Sequence, residues 1–377
     1  MRNLLRIPTD YESRVYGLDV FRAIAILTVV LGHGGFLIGN VLPGFPYIKI
    51  IDGVELFFVL SGFLIGTILI KMQEREGKLT PGMIFSFWKR RWFRTLPNYY
   101  LVLLLNVIFV WLGITYGKLE MFNWKFLVFA QNFSTHFTDF FWESWSLTIE
   151  EWFYILTPLT LLIFHQSLVK KFSIKQLTLF TVLIFIFLPL LYRISISGEE
   201  VDYFWYDVKF RKVVITRLDA IMYGVLFAWL KFYYPGSWKK IALPLFIVGL
   251  VMIYVIMYLH ESNPTGFFGK TLYFSLMGLA AALLLPYADS RKSSKTGFGK
   301  MMTHISLISY SMYLVNLSLV ADVIRMNYEP QSKIEYLVTY IFFWLAVVVI
   351  STLLYKYFEK PMMDIRDKTT SKVKIGN

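Results

Sequence analysis

The stretch GLDVFRAIAILTVVLGH, residues 17–33, decides the fold, because it opens an apolar run, 20–38, that is long enough to cross a bilayer. Two ionisable side chains, Arg22 and His33, lie inside that run. Each costs roughly 2.5–3.5 kcal/mol at mid-bilayer, so each needs a partner or a purpose. They are just over three helical turns apart, which places them on one helix face separated by roughly 16 Å.

Apolar segments of similar length recur along the whole chain. With 56% hydrophobic and only 17% charged residues, the composition is that of a membrane protein. The sequence predicts an all-α integral membrane protein, a bundle of about ten transmembrane helices in one domain, 1–377, with cytoplasmic tails at 1–18 and 360–377. The predicted spans are 20–38, 54–70, 95–116, 145–164, 176–196, 213–230, 241–259, 271–288, 303–323 and 334–357.

The distribution of positive charge predicts the orientation. Most of the 38 Lys and Arg residues fall on one side of the ten-span arrangement, and the positive-inside rule makes that side, with both termini, cytoplasmic. The basic group of Lys209, Arg211, Lys212 and Arg217 is the exception. The net charge of +13 comes from basic residues that lie between the apolar segments, and it does not indicate nucleic-acid binding.

Several kinds of chemistry are excluded by residue type. The chain has no cysteine, which removes disulfides, thiolate metal sites and a Cys nucleophile. It also lacks a G-x-S-x-G elbow, an H-E-x-x-H zinc helix and a Walker A loop. No metal site is expected.

Charged residues from several spans reach the same outer depth in this arrangement, which predicts a polar cavity open to the outer side. The alternative is a purely structural role, in which each of these charged side chains is hydrogen-bonded to a neighbouring helix or faces the lipid headgroups. The residues at this depth are His33, Glu55, Glu150, Glu151, Arg217 and Asp219.

On the inner side, residues 85–100 read FSFWKRRWFRTLPNYY and predict an interfacial segment stopped by Pro97. Arg90 and Arg94 are four residues apart and share a helix face. With Arg91 they form a cluster suited to phosphates, although a simple positive-inside anchor would look the same. In the second span, Ser61, Gly62 and Gly66 favour close helix packing.

Seven stretches, taken in order, resemble the bacterial acyltransferase 3 family over nearly the whole chain. They are residues 17–33, DGVELFFVLSGFLIG at 52–66, WKRRWFRTLPNYY at 88–100, WSLTIEEWFYI at 145–155, RLDAIMYG at 217–224, ISYSMYLVN at 308–316 and YFEKP at 357–361. One departure is Asn316, where many members have His. Because an amide is not a base, the resemblance leaves that position secondary.

The resemblance implies a bacterial inner-membrane enzyme that moves acetyl from cytoplasmic acetyl-CoA to a hydroxyl of an extracytoplasmic glycan or lipid-linked saccharide, among membrane lipids. It makes Arg22 and His33 the central pair. The cofactor phosphates would meet Arg22 and the Arg90, Arg91 and Arg94 cluster.

The predicted mechanism makes His33 a general base on the acceptor hydroxyl, with Glu55 or Glu151 orienting its ring. Acyl transfer is either direct or relayed through His33 or Ser61. Glu150, Arg217, Asp219 and Ser61 are the predicted substrate-binding residues. The alternatives are a proton-coupled transporter, against which the lack of internal repeats counts, and a membrane scaffold.

Overall fold

The computed structural model describes residues 7–8, 10–12, 14–42, 44, 51–137 and 139–366. Within those residues every regular element is a helix, and nine helices are long and apolar enough to cross a membrane. A tenth helix, α6, is shorter. In chain order the ten helices are α1 Tyr16–His33, α2 Gly53–Glu76, α3 Pro81–Trp111, α4 Ser144–Leu168, α5 Ile174–Ile196, α6 Leu218–Tyr233, α7 Ala242–Ser262, α8 Leu272–Ser290, α9 Gly297–Asn327 and α10 Lys333–Arg366. The prediction of an all-α, multi-pass membrane protein is confirmed.

Helix α6 takes the place of the sixth predicted span, 213–230, but begins only at Leu218. Its 16 residues rise about 24 Å, which is less than the roughly 30 Å hydrocarbon core. Most of its side chains are buried because α2, α5 and α8 pack around it. A helix enclosed by protein does not have to match the bilayer thickness.

Small residues allow α2 and α6 to touch at the backbone. A Cβ atom on Gly62 would lie 1.8 Å from the carbonyl oxygen of Ile221, and one on Gly224 would lie 2.0 Å from that of Val59. Gly66 lies in the same interface. The packing role predicted for these α2 glycines is therefore confirmed, since no other side chain fits at this separation.

Helix α3 corrects the predicted interfacial segment. Pro97 does not stop the helix but lies inside it, so the basic residues and the third span form one continuous helix, Pro81–Trp111. Proline is tolerated inside membrane helices because neighbouring groups satisfy the backbone carbonyl that loses its partner. The basic residues therefore lie in the first half of a long helix and not in a separate interfacial segment.

At the chain ends, helical structure extends into both predicted tails, 1–18 and 360–377. Helix α1 begins at Tyr16, and α10 continues through a π-helical turn, Tyr355–Glu359, as far as Arg366. The rest of the tails, residues 1–6, 9, 13 and 367–377, lies outside the described residues. Helix α9 also contains a π-helical turn, Asn316–Ala321, a feature that often marks a functional site.

Candidate functional site

A polar cavity of about 290 Å³, here called the His33 cavity, lies where α1 ends and α2 and α4 begin. It contains the histidine that the sequence singled out, together with aromatic, acidic and basic side chains. Its lining residues are Thr28, Val29, Gly32, His33, Ile51, Asp52, Gly53, Val54, Trp142, Glu143, Trp145, Arg211, Lys212, Tyr313 and Leu317.

The ring of His33 is held by Asn316. The His33 Nδ1 atom lies 2.5 Å from Asn316 Oδ1, while Asn316 Nδ2 donates to the carbonyl oxygens of Met312 and Tyr313 at 2.8 Å each. Because an amide oxygen can only accept, this hydrogen bond requires the proton on Nδ1. In the neutral imidazole the Nε2 atom therefore keeps its lone pair. Asn316 is a direct partner of His33, which corrects the secondary place expected for it.

The carboxylates expected to orient His33 are occupied elsewhere. Glu55 accepts from Arg217 Nη2, and Glu151 accepts from Thr95 Oγ1 at 2.7 Å. Neither residue lines the His33 cavity. Among the described residues neither carboxylate is hydrogen-bonded to His33, so the structure does not bring the predicted orienting residues to its ring.

Two other carboxylates occupy the His33 cavity. Asp52 caps α2 by accepting from the Val54 amide at 2.9 Å and forms an ion pair with Arg211. Burial acts to raise the pKa of Asp52, but the Arg211 guanidinium outweighs it and holds the pKa below its ordinary value. Asp52 is therefore charged at neutral pH.

Glu143, at the start of α4, is a cavity residue that sequence reasoning missed. Its carboxylate accepts from the backbone amide of Ser318 at 3.3 Å and from the Ser318 hydroxyl at 2.5 Å. Burial raises the pKa of Glu143 to about 8. Its place just before the fourth span made it resemble an ordinary interfacial residue, so no sequence signal distinguished it.

The basic group at the same end is largely neutralised by acidic neighbours. Arg211 pairs with Asp207 at 2.8 Å as well as with Asp52, Lys212 also pairs with Asp207, and Lys209 pairs with Glu199 at 3.0 Å. Arg211 and Lys212 also lie over the rings of Trp145 and Trp142. This basic group therefore does not favour an anionic acceptor, because each cation already has an acidic partner.

A second polar cavity, the Arg91 cavity, measures about 100 Å³. It combines three guanidinium groups with one carboxylate, hydroxyl groups and an apolar wall. Its lining residues are Arg22, Val54, Phe57, Phe58, Leu60, Ser61, Leu64, Ile65, Arg91, Arg94, Thr95, Ser146, Leu147, Glu150, Tyr154, Ser309, Tyr310 and Tyr313.

The three arginines of this cavity have no hydrogen-bonded protein acceptor among the residues that the structure describes. Arg22, Arg91 and Arg94 are all half-buried. The Arg91 guanidinium lies 5.9 Å from the ring centroid of Tyr154, but Glu150 takes its hydrogen bonds from hydroxyl groups and not from these cations. Half-buried donors without protein acceptors favour an anionic ligand.

The cavity face of α3 differs from the predicted one. Arg91, Arg94 and Thr95 point into the cavity, as their i, i+3, i+4 spacing allows, whereas Arg90 does not line it. The pairing of Arg90 with Arg94 on one face toward a ligand is therefore corrected. Residue spacing shows which side chains share a helix face, but it does not show which face of α3 points toward the cavity.

Glu150 and Ser61 belong to the Arg91 cavity and not to the outer layer. The hydroxyl groups of Ser61 and Tyr154 both donate to the Glu150 carboxylate and lie 2.8 Å apart. The sequence placed Glu150 and His33 at one depth, but the structure puts them in different cavities.

Arg217 and Asp219 line neither cavity. Each is fully buried in an ion pair, Arg217 with Glu55 and Asp219 with Arg193 at 2.7 Å. Arg193, which lies inside the fifth predicted span, also donates to the carbonyl oxygen of Thr271 at 3.1 Å. The rule that every charge inside a span needs a partner could have identified Arg193. The single polar layer predicted from depth is thus divided into buried ion pairs and two cavities.

The two cavities adjoin each other. Val54 of α2 and Tyr313 of α9 line both of them, and no other residue that the structure describes does so. The Tyr313 hydroxyl lies 2.5 Å from Ser146 Oγ and donates to the Glu143 carbonyl at 3.1 Å. The side chains of Val54 and Tyr313 therefore lie at the boundary between the basic cavity and the histidine cavity.

Comparison with known proteins identifies the family of the chain. The chain is 28% identical over 395 residues to O-acetyltransferase OatA of Staphylococcus aureus strain NCTC 8325, and it matches the protein of that name from strain COL equally well. The alignment covers 96% of this chain but only 59% of each relative. No solved structure matches. The profile of the acyltransferase 3 family, described as an acyltransferase domain, matches residues 15–356, so the chain belongs to that family.

Proposed function

We propose that the protein transfers an acetyl group from cytoplasmic acetyl-CoA to a hydroxyl of an extracytoplasmic or lipid-linked carbohydrate. One observation carries the proposal: a cavity with three arginines that lack protein acceptors adjoins a cavity with a positioned histidine, and the two meet at Val54 and Tyr313. A donor bound on one side and an acceptor on the other would react between these residues. The name of the OatA relatives supports an O-linked acetyl product.

The proposed orientation puts the Arg91 end of the bundle and both termini in the cytoplasm, in the bacterial inner membrane. The positive-inside distribution supports it. The charged end of acetyl-CoA then approaches from the cytosol, and Arg22, Arg91 and Arg94 neutralise its phosphates by charge-assisted hydrogen bonds. The long pantetheine arm carries the thioester toward Val54 and Tyr313.

The proposed chemistry is general-base acyl transfer. Nε2 of His33 takes the proton of the acceptor hydroxyl as its oxygen attacks the thioester carbonyl. The C–S bond breaks, the new ester is formed, and the proton passes from the imidazolium to the CoA thiolate. Asn316 keeps the ring in the required tautomer, and the charged Asp52 in the same cavity stabilises the imidazolium.

Aromatic and polar groups in the His33 cavity suit a carbohydrate. Trp142 and Trp145 offer flat apolar faces, while the charged Asp52 offers acceptor oxygens for hydroxyl groups. A covalent relay remains the competing route, with Ser61 as the nucleophile because Glu150 accepts its proton. Trapping of acetyl on the protein would favour the relay.

The test is acetyl incorporation into the surface glycan of cells that produce His33→Ala at the wild-type level. We expect a loss of about 100-fold or more, the usual worth of a general base. The matched control is His136→Ala, because His136 is exposed at the same end of the bundle and lines neither cavity. Undiminished incorporation in His33→Ala would remove the base assignment.

A further inference from the structure

The two cavities have two lining residues in common, Val54 and Tyr313, and Tyr313 is only 6% exposed. On the proposed reaction path, the reacting carbonyl carbon has to come within bonding distance of an acceptor oxygen on the far side. The acyl chain attached to that carbon must therefore fit beside these two side chains.

The position of the Tyr313 ring is fixed from several sides. Its hydroxyl is hydrogen-bonded to Ser146 Oγ and to the backbone carbonyl of Glu143, so α4 holds its tip. Its edge meets the Phe57 ring of α2, with centroids 6.2 Å apart and the planes at 76°. A ring held by two neighbouring helices cannot turn aside for a larger group without losing both hydrogen bonds.

We propose that Tyr313 is the specificity-determining residue that limits transfer to short acyl groups. The proposal rests on the proposed acyl transfer and deepens it by naming what selects the donor. Val54 forms the opposite wall of the same passage. In each transfer the ester C–O bond forms, the thioester C–S bond breaks and the hydroxyl proton ends on the CoA thiol, whatever the acyl length. Only the room beside Tyr313 distinguishes acetyl from butyryl.

Steric selection of this kind depends on the ring and less on the hydroxyl. Tyr313→Phe keeps the ring volume and loses the two hydrogen bonds, so selectivity for acetyl should remain within about twofold of wild type. Tyr313→Ala removes the ring and should admit butyryl. Discrimination by a pocket against one extra methylene is commonly about 10-fold or more, which sets the expected size of the change.

The experiment uses native membranes from producing cells, with their endogenous glycan as acceptor. The membranes receive equal concentrations of ¹⁴C-acetyl-CoA and ³H-butyryl-CoA, and the two labels released from glycan by mild alkali are counted. Because both labels are counted in the same sample, the ratio of butyryl to acetyl transfer does not depend on the amount of protein. We expect Tyr313→Ala to raise this ratio about 10-fold or more over wild type.

Two further variants keep the test decisive. Val54→Ala widens the passage from the other side and should raise the ratio in the same direction, even if Tyr313→Ala folds poorly. Tyr355→Ala truncates a buried tyrosine that lines neither cavity, so its ratio should equal that of wild type. An increase in Tyr355→Ala as large as that in Tyr313→Ala would overturn the proposal, because general loosening would then explain it.

The two levels of the proposal fail in different ways. If wild type transfers acetyl but neither Tyr313→Ala nor Val54→Ala changes the ratio, the selectivity role of Tyr313 is overturned and the acyl transfer stands. If wild-type membranes transfer neither label, the proposed function fails and the selectivity role fails with it.

Discussion

At the residue scale, the partner of His33 is the main departure from expectation. The sequence indicated a buried histidine that needs a partner, and its energetic cost predicted a polar site correctly. It could not indicate which partner, because depth along a helix is readable from residue counting while the direction of each helix face is not. The partner is Asn316, which residue chemistry alone had ranked low because an amide is not a base.

Asn316 should matter for the rate of catalysis through the tautomer of His33. We expect Asn316→Ala to lower acetyl transfer about 10-fold or more, because Nδ1 would lose its acceptor and the ring its orientation. Asn316→Asp retains an acceptor oxygen and should recover part of the rate. The measurement is acetyl transfer per amount of folded protein in isolated membranes.

An equal loss of transfer in Asn316→Ala and Asn316→Asp would contradict this role. A useful control is Ser318→Ala, since Ser318 lies in the same π-helical turn and binds Glu143 but does not contact His33 in the described residues. It separates the His33 contact from a general disturbance of the turn.

At the element scale, apolar periodicity located the helices but not their limits or their contacts. All ten predicted spans overlap an observed helix, since length and composition are properties of the segment itself. Pro97 was read as a stop because proline disfavours helix interiors in water, yet in a bundle α3 passes through it. The rotation of α3, which brings Arg91 and not Arg90 to the cavity, follows from packing and was not predictable.

The two faces of α3 make a charge-matched test of donor binding. We expect Arg91→Ala combined with Arg94→Ala to raise the KM for acetyl-CoA about 10-fold or more, because hydrogen bonds to charged groups contribute about 1.5–3 kcal/mol each. Lys89→Ala combined with Arg90→Ala removes the same charge from residues that do not line the cavity. Equal KM values for the two double variants would show that Arg91 and Arg94 do not bind the donor and serve only to orient the protein in the membrane.

The contact between α2 and α6 makes a second element-scale prediction. Gly224→Ala should lower the free energy of unfolding by about 1–3 kcal/mol, the usual cost of overpacking, because its Cβ would lie 2.0 Å from the carbonyl oxygen of Val59. Gly82→Ala in α3 is the matched control, since no atom lies within 4 Å of a Cβ at that position. Thermal unfolding of the detergent-solubilised proteins measures the difference. Equal midpoints for the two variants would show that the helices can separate at little cost.

At the scale of the whole molecule, the two cavities acquire a function only if they open to opposite sides of the membrane. For the proposed reaction, the Arg91 cavity needs access to a cytosolic thioester, and the His33 cavity needs access to an external hydroxyl. Val54 and Tyr313, which line both cavities, would then lie between the donor and the acceptor. The arrangement allows a group to cross the bilayer without any carrier moving, provided that the orientation predicted from the charge distribution is correct.

That orientation can be measured directly because the chain has no cysteine. Two exposed positions suit single cysteines: Lys78, between α2 and α3, and Glu120, between α3 and α4. They lie beyond opposite ends of α3. In intact spheroplasts a membrane-impermeant maleimide should label Glu120→Cys and leave Lys78→Cys unlabelled until the membrane is opened. The reverse pattern would put the arginines outside, away from any supply of acetyl-CoA, and the direction of transfer proposed for this enzyme would be wrong even if His33 were essential.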